Sequence, residues 1–130
     1  MNIIITGGNG FLGSKLLEKF IEDGHSITII DKKKKSINKL PFKKFKIKFF
    51  KADITSLKSL SKIKIKKNSI LLHCAGQPSA AMSFLNPVDD MKKNIEGMLN
   101  IINFARANKV HKIIFASTFN VYEENAKTPI

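Results

Sequence analysis

Hydrophobic residues along the chain fall into two alternating patterns. Residues 2–6 (NIIIT) and 26–31 (SITIID) are β-branched runs bounded by turn residues, and residues 69–74 (SILLHC) and 112–116 (KIIFA) are similar. Unbroken apolar runs of this length predict strands covered on both faces. Residues 45–50 (FKIKFF) alternate instead, which predicts a strand with one lysine-bearing face. Between the first two runs, Leu12, Leu16, Leu17 and Phe20/Ile21 recur at helical spacing, and Gly24 is placed to end that helix. Ser56 opens a short helical pattern to about Ile63, with its hydroxyl as the expected cap. A longer pattern runs from Pro87 to about Asn108, with Val88, Met91, Ile95, Met98/Leu99, Ile102 and Ala105 on one stripe.

Strands that alternate with helices predict an α/β fold: a doubly wound parallel sheet of about five strands, helices on both faces, joined by right-handed crossovers. No segment repeats another. The lysine runs at 32–35 and 43–51 are the only biased stretches, and Pro41 between them marks a loop rather than a linker. Residues 1–130 therefore read as one domain.

Composition narrows the classes. Hydrophobic residues make up 43% and charged residues 25% of the 130 positions, which is globular rather than disordered. No apolar run approaches the ~20 residues that span a bilayer, and the N-terminus lacks the pattern of a secretory signal. Cys74 is the single cysteine, so no internal disulfide can form and a cytoplasmic location is expected. The formal charge of +13 would attract polyanions, but it comes almost wholly from lysine, with Arg106 the one arginine. Lysine lacks the planar fork used to read bases, and the aromatic residues near it do not suggest a stacking platform. A solvated lysine surface is thus expected ahead of nucleic-acid binding.

The candidate chemistry begins in "IITGGNGFLG", where a strand is followed by four glycines in seven positions and then a helix. Parallel sheets place ligands beyond the carboxyl ends of their strands, and a helix N-terminus offers unpaired N–H groups and a positive dipole end. Gly7 then permits a tight turn, Gly10 a close approach of backbone to phosphate, and Gly13 close packing of the helix. Asp31 ends the second strand, where a carboxylate can accept from both hydroxyls of an adenosine ribose. The same charge repels a 2′-phosphate, so NAD is expected over NADP, with Lys32 to Lys35 as a softening influence. Asp53 and Ile54 follow the third strand and can flank an adenine, although an aspartate there also serves as a helix cap.

These residues carry a resemblance. Thr6-Gly7-Gly8-Asn9-Gly10-Phe11-Leu12-Gly13 resembles the TGxxGxxG fingerprint of extended short-chain dehydrogenase/reductases. Within them the chain resembles the NAD-dependent epimerase/dehydratases that act on nucleotide sugars, which have a Rossmann-type fold. His73-Cys74-Ala75-Gly76 is similar to the family's HxAA/HxAG segment, and Ser83, Pro87, Asn94 and Gly97 fall at its S…P…N..G spacing. Ala116-Ser117-Thr118-Phe119-Asn120-Val121-Tyr122 is similar to its SSxxVYG segment. The resemblance implies that Gly7, Gly10, Phe11, Leu12, Gly13, Asp31, Asp53, Ile54, Ala75, Gly76 and Asn94 bind NAD. It puts Thr118 at the catalytic serine/threonine position, where a hydroxyl donates to a sugar oxygen as that oxygen becomes a ketone. His73 is expected to be packed and hydrogen-bonded rather than catalytic, and Cys74 a small buried residue. No metal site is expected.

The family's YxxxK pair, which moves the proton, does not occur. Tyr122 is the one tyrosine, Ala126 stands where the lysine would be, and Glu123 replaces the glycine of VYG. Pro129 lies near the family's PxxE loop, ahead of the catalytic helix. The resemblance therefore implies the N-terminal portion of an epimerase or dehydratase, with the nucleotide-sugar substrate belonging to a complete enzyme. HCAGQPS is more similar to epimerases. An apolar fifth strand at the sheet edge predicts a marginally stable domain that seeks a partner, either another copy or a missing C-terminal part. Two other readings stand beside this one. The first is a non-catalytic NAD-binding module or split-enzyme subunit, marked by a neighbouring reading frame that begins with YxxxK. The second is a lysine-driven polyanion binder.

Overall fold

A computed structural model describes residues 1–33, 45–118 and 121–122. The loop at Pro41, Phe119, Asn120, Glu123, Ala126 and Pro129 lie outside the described residues. Five strands form one parallel sheet: β1 (Asn2–Thr6), β2 (Ser26–Asp31), β3 (Ile47–Lys51), β4 (Ile70–His73) and β5 (Lys112–Phe115), in the order β3-β2-β1-β4-β5. The crossing point falls between β1, whose chain continues towards β2, and β4, which returns on its other side. That is where an open parallel sheet leaves a crevice at its carboxyl edge.

The strand interior is as apolar as the sequence predicts. Ile3, Ile4, Ile5, Ile27, Ile29 and Ile30 are all buried, and alternate side chains serve opposite faces. On one face Ile3, Ile5, Ile27 and Ile29 pack with Leu17 of α1 (Phe11–Glu22). On the other, Ile4, Ile30 and Leu71 pack with Leu60 of α2 (Leu57–Ser61) and with Ile101 and Phe104. Full burial of one such side chain contributes about 1.5–3 kcal/mol, so the sheet centre carries much of the stability. The expected end of α1 is present: Gly24 has φ +74° and its N–H donates to the Ile21 carbonyl. Ser56 caps α2 by accepting the Ser59 N–H.

The segment from Pro87 departs from the expected single helix. It divides into α4 (Pro87–Met91), a π-helical turn (Lys92–Glu96) and α5 (Gly97–Ala107), and a further short helix, α3 (Ala80–Leu85), precedes it. The expected stripe does not form the core face either. Val88, Met91, Ile95 and Leu99 are exposed, and of that stripe only Ala105 is buried. Gly97, Asn100, Ile101, Phe104 and Ala105 face inward instead. A Cβ on Gly97 would lie 2.6 Å from Ile54 Cδ1, and Asn100 Nδ2 donates to the Ile54 carbonyl at 2.9 Å. The helix packs on the sheet through Ile101 and Phe104 and meets the loop after β3 through Gly97 and Asn100.

At one edge of the sheet, Ile114 and Phe115 of β5 are half exposed, as the apolar fifth strand implies. Among the described residues no helix is long and apolar enough to cross a membrane.

Candidate functional site

The glycine turn is built by close contacts rather than by looseness. Gly7 has φ +70°, and its N–H donates to the Ile30 carbonyl at 3.0 Å, which closes the turn over β2. A Cβ there would lie 2.7 Å from the Ala75 nitrogen, so β4's exit passes directly against it. A Cβ on Gly13 would lie 2.3 Å from the Gly7 carbonyl oxygen, and one on Gly8 would lie 2.6 Å from Ile29 Cγ2. Gly8 is a requirement the sequence reading did not single out. Gly10 is the N-cap of α1; it makes no side-chain cap, and the first turn carries no acidic residue. The N–H groups at this helix start are therefore set for an anion from outside.

A cavity of about 430 Å³ opens beside that turn. Of the residues expected to bind a cofactor, Gly7, Gly10, Asp31, Ile54, Ala75 and Gly76 line it. Phe11 and Leu12 expose their side chains, so backbone N–H groups are what they can offer at the helix start. Gly13 sits under the turn and makes room for it. Asn94 stands behind Gly76, where a Cβ on that glycine would lie 2.9 Å from Asn94 Oδ1. Thr118 is exposed beyond the end of β5 and is not among the cavity residues. The cavity also takes in Asn9, Ala52, Gln77 and Lys93, which the sequence does not mark because their side chains fit no spacing rule and only the fold brings them together.

Asp31 is held from both sides. Its Oδ2 accepts the Asn9 N–H at 2.9 Å and its Oδ1 accepts the Lys33 N–H at 3.1 Å. The carboxylate is thereby anchored at the cavity margin with lone pairs remaining for ligand hydroxyls. Asp53 serves two local purposes: its Oδ1 accepts from the Thr55 N–H and hydroxyl, and its Oδ2 pairs with Lys32 Nζ at 2.9 Å. Burial pushes the Asp53 carboxyl up, but Lys32 and the Thr55 donors outweigh it and hold the group below the usual carboxylate range.

Beneath the turn lies a buried pair. His73 Nδ1 is 2.6 Å from Thr6 Oγ1, which also accepts the Ala75 N–H at 3.4 Å, and the imidazole stacks on Phe115 with centroids 5.8 Å apart. Burial pulls the His73 pKa down to about 4, so the ring is neutral near pH 7. With the hydroxyl proton given to Nδ1, the ring proton is assigned to Nε2. His73 is thus the packed, hydrogen-bonded residue expected of it. Cys74 is half-buried at the cavity edge, and burial raises its thiol pKa. Among the described residues no cluster of three or more His, Cys, Asp or Glu could hold a metal.

Comparison with known proteins follows this geometry. Residues 3–130 match the model of the NAD dependent epimerase/dehydratase family. The chain is 35% identical over 98% of its length to a Methanocaldococcus jannaschii protein provisionally named UDP-glucose 4-epimerase, of which it spans 42%. It is 32% identical over 98% of its length to a UDP-glucose 4-epimerase of Neisseria meningitidis, spanning 40% of it. Among solved structures, the UDP-Glc/GlcNAc 4-epimerase of Campylobacter jejuni superposes with a TM-score of 0.81, at 27% identity over 95% of this chain and 39% of that one. The Thermus thermophilus UDP-glucose 4-epimerase in complex with NAD superposes with a TM-score of 0.79, at 28% identity over 91% of this chain and 38% of that one. The chain thus spans about two fifths of the length of these relatives.

Proposed function

Since the chain belongs to the NAD dependent epimerase/dehydratase family, we propose that it binds NAD in the cavity at the glycine turn, as the dinucleotide-holding portion of a nucleotide-sugar epimerase. The observation that carries this reading is the start of α1. A helix with no side-chain cap and no acid in its first turn faces a cavity whose wall is glycine backbone, and the ribose-side margin holds an anchored carboxylate. A Cβ at Gly7 would collide with the Ala75 backbone that forms the opposite wall. The pyrophosphate lies against Gly10 and the N–H groups of Phe11 and Leu12, and Asp31 accepts from the adenosine ribose. Ile54 and Ala52 form an apolar wall for the adenine, and Asp53 stands beside it through its bridge to Lys32.

When bound, NAD supplies a hydride acceptor and donor for a sugar carbon. This chain's residues hold and orient it, and Thr118 at the end of β5 offers a hydroxyl to the sugar oxygen. Tyr122 is the one tyrosine and Ala126 stands four residues after it, so turnover is proposed only for an enzyme that also supplies a tyrosine–lysine pair to move the proton. Titration calorimetry of the 130-residue protein with NAD and NADP tests the cofactor claim. NAD binding in the micromolar range, weaker NADP binding, and loss of both in Gly10→Val are expected. No heat from NAD up to millimolar concentration refutes it.

One observation favours a second reading, a polyanion site. Lys46, Lys48, Lys64 and Lys66 line a separate hollow of about 490 Å³ at the amino ends of the strands, away from the glycine turn. That reading expects salt-sensitive binding of single-stranded nucleic acid that Gly10→Val leaves untouched, and fails if no such binding occurs at low salt.

A further inference from the structure

The wall of the cofactor cavity at Ala75–Gln77 has no regular secondary structure, so its shape depends on side chains that hold it. Asn94, on the π-helical turn, does most of this. Its Oδ1 accepts the Gln77 N–H at 2.7 Å and its Nδ2 donates to the Gln77 carbonyl at 3.1 Å. One side-chain amide thus grips both backbone groups of one wall residue. The second Nδ2 hydrogen goes to Asp90 Oδ1 at 3.0 Å, and the same oxygen accepts from Ser83 Oγ at 2.7 Å.

This last link sets a direction. An amide can be turned end for end with little change in shape, and only its partners choose between the two orientations. A carboxylate accepts and cannot donate. A turned amide would bring the Asn94 oxygen against both the Asp90 carboxylate and the Gln77 carbonyl, and Nδ2–H against the Gln77 N–H. All three contacts are repulsive, so Asp90 adds its charge to the orientation that the Gln77 backbone favours and fixes the amide from its far side. Ser83, on α3, in turn holds Asp90. π-helical turns concentrate at functional sites, and this one carries the gripping residue.

We propose that Asp90, steadied by Ser83, is a positioning residue that shapes the cofactor cavity by orienting the Asn94 amide against Gln77. The proposal rests on the reading of that cavity as the NAD site. It also gives Asn94 a different part from the one the family resemblance implies: it acts on the cofactor through the Gln77 backbone.

The test uses the full 130-residue chain and two readouts, amide exchange of Gln77 without cofactor and the NAD dissociation constant. In Asp90→Ala, Gln77 exchange is expected to quicken and NAD affinity to fall, each by about tenfold, the upper range for one net hydrogen bond. Asp90→Asn keeps an oxygen that accepts from Asn94 and Ser83, so it should restore both readouts. Ser83→Ala, a milder change, should show a smaller effect of the same kind, and serves if Asp90→Ala does not fold. Asn94→Ala removes both Gln77 hydrogen bonds as well and should exceed Asp90→Ala, and adding Asp90→Ala to it should change little, since Asp90 acts on Gln77 only through Asn94. Unchanged Gln77 exchange in folded Asp90→Ala and Ser83→Ala overturns the proposal. So do independent, multiplicative effects of the Asp90 and Asn94 changes on NAD affinity, which would put Asn94 on the cofactor itself. If the wild-type chain binds no NAD, the cofactor reading fails, and Gln77 exchange still decides the positioning claim.

Discussion

Acidification to pH 5 should destabilise this protein through His73. The ring is only 2% exposed, its Nδ1 faces the Thr6 hydroxyl, and burial lowers its pKa from 6.5 to about 4. The folded pKa lies below the unfolded one, so the unfolded chain takes up the proton first as pH falls. The contribution of neutral His73 is complete above pH 6.5 and is lost progressively between 6.5 and 4. A gap of that size is worth about 3 kcal/mol once both states are protonated, and about 2 kcal/mol has gone by pH 5. For a domain of this size, that is a large part of the whole. The assay is urea unfolding at pH 7 and pH 5 at one ionic strength, on the wild type and on His73→Gln. Carboxylates and the other histidines act alike in both proteins, so the difference between the two pH responses isolates His73. The wild type should lose about 2 kcal/mol more than the variant. Equal losses would refute the reasoning. If His73→Gln fails to fold, titration of the His73 ring by NMR decides instead: a midpoint near the ordinary histidine value removes the basis of the prediction.

Three further changes probe other parts of the molecule. Gly13→Ala puts a methyl 2.3 Å from the Gly7 carbonyl oxygen, so the turn must shift. A loss of about 3 kcal/mol by thermal unfolding, with weaker NAD binding, is expected, and unchanged stability would contradict the close approach. Lys32→Ala releases Asp53, whose carboxyl pKa should rise in an NMR titration. Both partners are well exposed, so stability should change by only about 0.5 kcal/mol, and an unmoved Asp53 midpoint would discount the bridge. Ile114→Lys charges the half-exposed edge strand and should reduce self-association in sedimentation velocity, with stability within about 0.5 kcal/mol of wild type. A wild type that stays monomeric at high concentration would remove the premise.

Much of the molecule follows from local pattern. The isoleucine runs could only be strands covered on both faces, and the glycine spacing between β1 and α1 could only suit a tight turn feeding a helix. Ser56 and Gly24 act as the caps their chemistry predicts. The long segment after Pro87 was misleading for a physical reason. Apolar periodicity shows that a helix is amphipathic, not which side meets the sheet. Here the inner face includes Gly97 and Asn100, which do not count as apolar: the Ile54 side chain takes the place of a Gly97 Cβ, and the Ile54 carbonyl takes the Asn100 amide donor. Val88, Met91, Ile95 and Leu99 are left outside.

The candidate site divides the same way. Gly7, Gly10, Asp31 and Ile54 could be named from the chain because their positions relative to strand ends set their places, and strand ends are a local property; Ala75 and Gly76 are named through the family resemblance alone. The sequence by itself determined the parallel sheet, the anion-ready helix start and the carboxylate at the end of β2. Only the tertiary structure decided that Asp53 is paired with Lys32, that His73 is neutral against Thr6, and that Asn94 bonds both backbone groups of Gln77. Each of those depends on which groups meet across 17 to 67 residues of chain, or on which way an amide or imidazole turns once they do. Hydrogen-bond direction and burial belong to the packed state, and residue spacing does not encode them.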